Sequence, residues 1–269
     1  MNDCTYGEVL LRIEDVSLSY DGRPILKNVN AEIREIKHTI TTGQVIGFLG
    51  PSGIGKTQLF RIMAGLNQPT TGRVVLDGGK QVHPGLVGVV AQSYPLFEHR
   101  TILSNLMLAA SRKDPKEARN HVFTYLEEFE LTDKINLFPV QLSGGQRQRV
   151  AIIQQILCSD HYLLMDEPFS GLDLLMLDKT AALIQKVASR DSLNTVIIVS
   201  HDITTTASVA DHIWLMGRDR DASGNIIPGA RIVEIYDLVE RDLCWHPGII
   251  TQSRFLEFTS EVKERFRTL

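Results

Sequence analysis

Gly50-Pro51-Ser52-Gly53-Ile54-Gly55-Lys56-Thr57 fits the pattern G-x-x-x-x-G-K-[ST] at every fixed position. An apolar run, Val45 to Leu49, precedes it and a helical pattern from Gln58 to Ala64 follows, so the motif occupies a tight turn from strand to helix. Glycines there let backbone N–H groups approach phosphate oxygens, and a helix N-terminus adds a dipole that favours anions. Lys56 would meet the outer phosphates of a nucleotide, and Thr57 would offer a hydroxyl to a magnesium ion. The alternative is a plain glycine turn, which the strand-before, helix-after context argues against.

Leu142-Ser143-Gly144-Gly145-Gln146 leads into a helical run through Arg149, Val150, Ile153 and Leu157. Ser143 and Gln146 have the S-x-x-Q spacing of a capping box, which is a purely local explanation. It leaves Gly144 and Gly145 unexplained. A helix opened by two glycines exposes its N–H groups and the positive end of its dipole, as a terminal phosphate would require.

With Gly50 to Thr57 upstream, Leu142 to Gln146 resembles the signature sequence of the ATP-binding cassette family, and the resemblance spans about residues 9 to 216. It implies an α/β fold: a P-loop NTPase (RecA-like) core with an N-terminal antiparallel β subdomain and an inserted α-helical subdomain. It also implies that ATP is held by Gly50, Pro51, Ser52, Gly53, Ile54, Gly55, Lys56 and Thr57, with Ser143, Gly144, Gly145 and Gln146 of a second copy closing over it. One signature per chain therefore implies a head-to-tail dimer.

The other candidates fall at the ends of apolar runs. Residues 161 to 168, His-Tyr-Leu-Leu-Met-Asp-Glu-Pro, suit a parallel strand buried on both faces. Asp166 at its end resembles the family's magnesium-site acid, and Glu167 stands where it would orient and deprotonate the attacking water. An ordinary solvated turn is the alternative for two adjacent acids. Gln92 ends the run Val87 to Ala91 and is either a polar strand cap or a group reaching metal and water. His201, in Ser200-His201-Asp202, follows Val196 to Val199 and is either structural or the counterpart of the family's switch histidine. Ligands bind outside the carboxyl ends of strands in open α/β sheets, which places Gly50, Gln92, Asp166 and His201 under one rule. Tyr20, closing the first predicted strand, is either an adenine-stacking ring or a turn residue. Ser170-Gly171-Leu172-Asp173 resembles the family's D-loop along the dimer seam.

The elements that must position these residues are legible in outline. Residues 9 to 20 and 25 to 33 read as a hairpin, 73 to 77 as a short strand, and the stripe Ala118, Val122, Leu126, Phe129 as an amphipathic helix. The resulting division is one ATPase domain over 9–245, a helical insertion over about 98–155, and a helical tail over 246–269. Phe255, Phe258, Val262 and Phe266 fall at helical spacing and read as docking on the chain's own domain, with a partner-binding helix as the alternative. Residues 34–43 carry no clear element, and Arg218 to Ala230, rich in charge, Gly and Pro, reads as an inserted loop. The helix after the signature, Ala151 to Leu157, departs from the alanine-arginine-alanine stretch common in the family.

Bulk properties narrow the function. Hydrophobic content of 43% and charged content of 22% are those of a globular protein, and a net charge of −4 offers no basic field for nucleic acid. Three well-separated cysteines, Cys4, Cys158 and Cys244, indicate reduced thiols and cytoplasm. No signal peptide or membrane span is read, and the length leaves room for one cassette without an added regulatory domain. The expectation is an ATP-hydrolysing subunit on the inner face of the cell membrane, held there by a separate transmembrane permease. Resemblance to bacterial importers for small anions or organic solutes adds a solute-binding protein, with export of lipids or drugs, which uses the same cassette chemistry, as the alternative direction. The alternatives are an ATPase of a soluble assembly, such as iron–sulfur cluster assembly, and a non-hydrolysing module, which Glu167 and His201 argue against.

Overall fold

Strands β3 (Gln44–Leu49) and β7 (Thr195–Ser200) are buried at every residue, which is why each appears in the sequence as an unbroken apolar run. The computed structural model describes residues 4–38, 43–246 and 248–269, so part of the unassigned stretch 34–43, and Pro247 in the tail, lie outside the described residues. Along β7, Val196 and Ile198 face one apolar cluster while Ile197 and Val199 face another; Val45 and Leu49 against Ile46 and Phe48 do the same along β3. This two-residue alternation places a core on each side of the sheet.

Among the described residues the sheet has nine strands. Besides β3 and β7 they are β1 (Thr5–Tyr20), β2 (Arg23–Lys37), β4 (Thr71–Leu76), β5 (Gly88–Val90), β6 (Tyr162–Asp166), β8 (His212–Arg220) and β9 (Ile226–Asp237), in the order β4-β1-β2-β9-β8-β3-β7-β6-β5. From β8 through β3, β7 and β6 to β5, all pairings are parallel. β1 pairs antiparallel with β2 and β4, giving the expected antiparallel part of an α/β fold. The parallel strands therefore deliver their C-terminal ends to one edge, where Gly50, Gln92, Glu167 and His201 emerge.

Helix α1 (Lys56–Met63) packs in the cluster that holds Phe48, Ile197 and the β1–β2 hairpin. The other cluster takes α2 (Ile102–Lys113), α3 (Ala118–Glu128), α4 (Gly144–Cys158), α5 (Leu174–Ala188), α6 (Ile203–Val209) and α7 (Ser253–Arg267). In α3, Ala118, Val122 and Leu126 are the buried stripe. In α7, Phe255, Phe258 and Val262 are buried against the chain's own core, with Phe258 edge-on to Tyr236.

Two expectations require correction. The hairpin strands are longer than read: β1 begins at Thr5 and β2 runs on to Lys37, because their polar residues face solvent while Ile33 and Ile36 are buried. Arg218 to Ala230 is not an inserted loop. Only Asp221 to Asn225 forms a turn, tied by the Asp221 carboxylate to the amides of Ser223 and Asn225. Pro228 and Gly229 (φ 93°) sit in a ladder irregularity of β9, where a missing N–H and a left-handed backbone are tolerated.

Candidate active site

The turn from β3 into α1 is shaped by Gly53 (φ 75°) and Gly55 (φ 114°), backbone conformations that strongly favour glycine. Gly55 precedes the first turn of α1 without any side-chain cap, so the leading amides of that helix have no protein side chain to receive them. Lys56 is buried to 9% exposure and folds back across the turn, donating to the carbonyls of Gly50 at 2.6 Å and Pro51 at 3.0 Å. Burial lowers its pKa, opposed by the charges of Glu167 and Asp166. Tyr20 is fixed beside α1, its hydroxyl donating to Gln58 Oε1 at 2.9 Å and accepting from Asn67 Nδ2 at 3.0 Å, with the residue 46% exposed.

Strand β6 ends at Asp166, whose carboxyl is raised by burial and by neighbouring Glu167, against the pull of Lys56 and Arg61. Glu167 turns sharply away with a φ of 49°, uncommon for a side chain of this kind, and its amide donates to the Val199 carbonyl at 2.8 Å. Its carboxylate lies against the end of β7: Oε1 is 2.9 Å from His201 Nδ1, and Oε2 accepts from the Ser200 hydroxyl at 3.0 Å. Gln92, just past β5, donates to Ser170 Oγ at 3.3 Å on the segment that follows Glu167. Asp173 then caps α5 by accepting from the Met176 amide.

Lys56, Asp166, Glu167 and His201 thus share one end of the sheet. Thr57, Gln92 and Asp166 could each offer an oxygen to a cation, a chemistry that suits magnesium, an ion that keeps several waters and shares phosphate oxygens. Among the described residues no cluster of three or more His, Cys, Asp or Glu could cage a metal, so any such ion would lean on nucleotide and water as well.

Ser143 to Gln146 belong to a different surface. The capping box is complete: the Gln146 amide donates to Ser143 Oγ at 3.3 Å and the Ser143 amide to Gln146 Oε1 at 2.9 Å. Ser143, Gly145 and Gln146 line a groove of about 530 Å³ with Met176 and Lys179, and none of Gly50 to Thr57 lines it. A β-carbon on Gly145 would stand 2.4 Å from Met176 Cε, the far end of a flexible side chain on α5 that can turn aside. A β-carbon on Gly144 would meet nothing within 4 Å. Nothing among the described residues requires a glycine there.

Ser200 and Asn67 were not singled out in the sequence. Ser200 follows the apolar run of β7 directly, so its place at a strand end beside His201 was a usable signal; Asn67 sits in a turn and gave none.

The family model described as "ABC transporter" matches residues 33–170. Among curated proteins, the chain is 33% identical over 217 residues to a probable ABC transporter ATP-binding protein, PEB1C, of Campylobacter jejuni, covering 77% of this chain and 86% of that one. It is 35% identical to the sulfate/thiosulfate import ATP-binding protein CysA of Thermosynechococcus vestitus, covering 84% of this chain and 66% of the relative. Among solved structures, the cassette MJ0796, described as dimeric in a post-hydrolysis state with ADP and Pi, superposes with a TM-score of 0.67 at 27% identity, covering 85% of this chain and 99% of that one.

Proposed function

The chain belongs to the ABC transporter ATP-binding family, and from that premise we propose that its nucleotide site is completed by a second copy of itself. It is the ATP-hydrolysing subunit of a transporter. The observation that carries the two-chain reading is Gly144: it opens α4 and has open space where a side chain would stand, and its neighbours Ser143, Gly145 and Gln146 line a groove without any of Gly50 to Thr57. In this reading the signature surface of one copy faces the phosphate-binding turn of the other.

The cassette is assigned to residues 9–245, with the helical insertion at about 98–155 and the tail from 246. The amides of Gly53 to Lys56 receive phosphate oxygens, and Lys56 leaves the carbonyls of Gly50 and Pro51 to pair with the outer phosphates. Thr57, Asp166 and Gln92 would hold magnesium, which when bound would supply charge neutralisation on the phosphoryl group. Glu167 orients and deprotonates the water, and His201 positions it against the γ-phosphate, with Ser200 fixing the glutamate. Tyr20 stacks on the adenine, its ring held by Gln58 and Asn67.

A membrane-spanning permease supplies the transport path and holds the chain at the inner face of the cell membrane. No helix among the described residues is long and apolar enough to cross a membrane. A groove of about 480 Å³ lined by Leu66, Pro95, Leu96, Phe97 and Leu108 lies beside the segment after Gln92, and Leu66, Phe97 and Leu108 are each more than 40% exposed. That surface takes a cytoplasmic helix of the permease. The sulfate/thiosulfate import relative supports import of a small solute, and delivery by a solute-binding protein is part of the proposal. Relatives named as transporter subunits leave no support for the iron–sulfur assembly alternative. Affinity capture of the tagged chain from detergent-solubilised native membranes tests this reading: recovery of a polytopic membrane protein supports it, and recovery of soluble partners alone overturns it.

A further inference from the structure

We infer that Arg147 is a strut joining the permease-facing segment to the ATP-facing end of α4, so that movement at one is imposed on the other. The inference rests on the reading of the groove and of the two-chain site given above.

The segment from Gln92 to Glu98 leaves β5 and forms one wall of the apolar groove through Pro95, Leu96 and Phe97. It is held at three places. Gln92 bonds Ser170 at one end. Asn105, wholly buried in α2, accepts the Phe97 amide at 2.8 Å and donates to the carbonyls of Phe97, Arg100 and Thr101. Between them, Arg147 donates Nε to the Tyr94 carbonyl at 3.2 Å and Nη2 to the Glu98 carboxylate.

The third attachment differs from the others in where it leads. Asn105 ties the segment to its own next helix, whereas Arg147 follows Gln146 directly in the first turns of α4. A guanidinium is a planar fork, so its two donors fix the orientation of the segment as well as its distance. One donor engages a backbone carbonyl that no substitution removes. Tyr94 itself has a φ of 48°, an uncommon conformation for a bulky residue, and such backbone persists where surrounding contacts over-determine it. The contact joins parts of the chain far apart in sequence, 49 residues to Glu98 and 53 to Tyr94.

Hydrogen–deuterium exchange on the full chain tests the strut, in a Glu167→Gln background that holds ATP, with and without MgATP. In the parent, MgATP protects the amides of 143–147 and, through Arg147, those of 94–98. Glu98→Ala and Arg147→Met should each reduce protection of 94–98 by about three- to fivefold, the scale of a partly exposed charged pair. The double variant should lose no more than Arg147→Met alone, since both changes break one connection. Protection of 94–98 undiminished in Glu98→Ala, or losses that multiply in the double variant, would overturn the strut while leaving the two-chain site intact. No protection at 143–147 in the parent would overturn the two-chain reading and the strut's task with it.

Discussion

His201 Nδ1 lies 2.9 Å from Glu167 Oε1, joining the ends of β6 and β7 across the site. The adjacent Ser200 hydroxyl holds the other carboxylate oxygen at 3.0 Å, so both oxygens of Glu167 are engaged from β7. If this pair orients the hydrolytic water, Glu167→Gln lowers kcat by roughly 10² to 10⁴ with little change in ATP affinity. Ser200→Ala, which frees one oxygen only, should lower kcat by about tenfold, the scale of one hydrogen bond to a charged group. Phosphate-release kinetics across ATP concentrations separate kcat from KM; an unchanged kcat in Glu167→Gln would remove the assigned role.

Asp211 gives a pH signature. It is 3% exposed, accepts from the Val45 amide at 2.6 Å through Oδ2, and leaves Oδ1 without a hydrogen-bond partner. Burial pushes its carboxyl up to about 6 from an ordinary 3.8, against the Val45 amide. A carboxyl raised on folding binds more protons in the native state, so its contribution falls as pH rises from about 4 to about 6. Asp211→Asn removes that dependence. Measured by chemical denaturation, the variant should gain about 2 kcal/mol relative to the parent between pH 4.5 and pH 7.5.

Leu108, 43% exposed on α2, lines the apolar groove. Leu108→Glu should leave stability within about 0.5 kcal/mol of the parent, as for most surface changes, and should leave ATP turnover of the isolated chain unchanged. Capture of the membrane partner should fall by at least about tenfold, since a charge would be desolvated on docking. Undiminished capture would place the permease elsewhere.

The sequence made the strand ends of the proposed site legible because strands buried on both faces leave continuous apolar runs, and Asp166, Glu167 and His201 punctuate those runs. The turn from β3 into α1 was legible because the left-handed backbone at Gly53 and Gly55 favours glycine. Arg218 to Ala230 misled for the converse reason: Pro228 and Gly229 have the composition of a loop but occupy an irregularity of β9. Arg147, Asn105 and Ser200 escaped notice because their importance lies in partners distant in sequence, which no local spacing records. The capping reading of Ser143 and Gln146 and the phosphate reading of the same stretch are compatible, since the box uses side chains and leaves Gly144 open.

Gly144 carries the central claim, that two chains finish one site. An acidic residue in the first turn of a helix interacts favourably with the dipole, and nothing lies within 4 Å of a β-carbon there, so Gly144→Asp should fold at least as well as the parent. Facing a γ-phosphate, the same carboxylate would be strongly repelled. Sedimentation of Glu167→Gln with MgATP should show the mass of two chains, and Glu167→Gln with Gly144→Asp should remain a single chain while still melting at the parent's temperature. A monomer in the first case, or an undisturbed dimer in the second, would contradict the account.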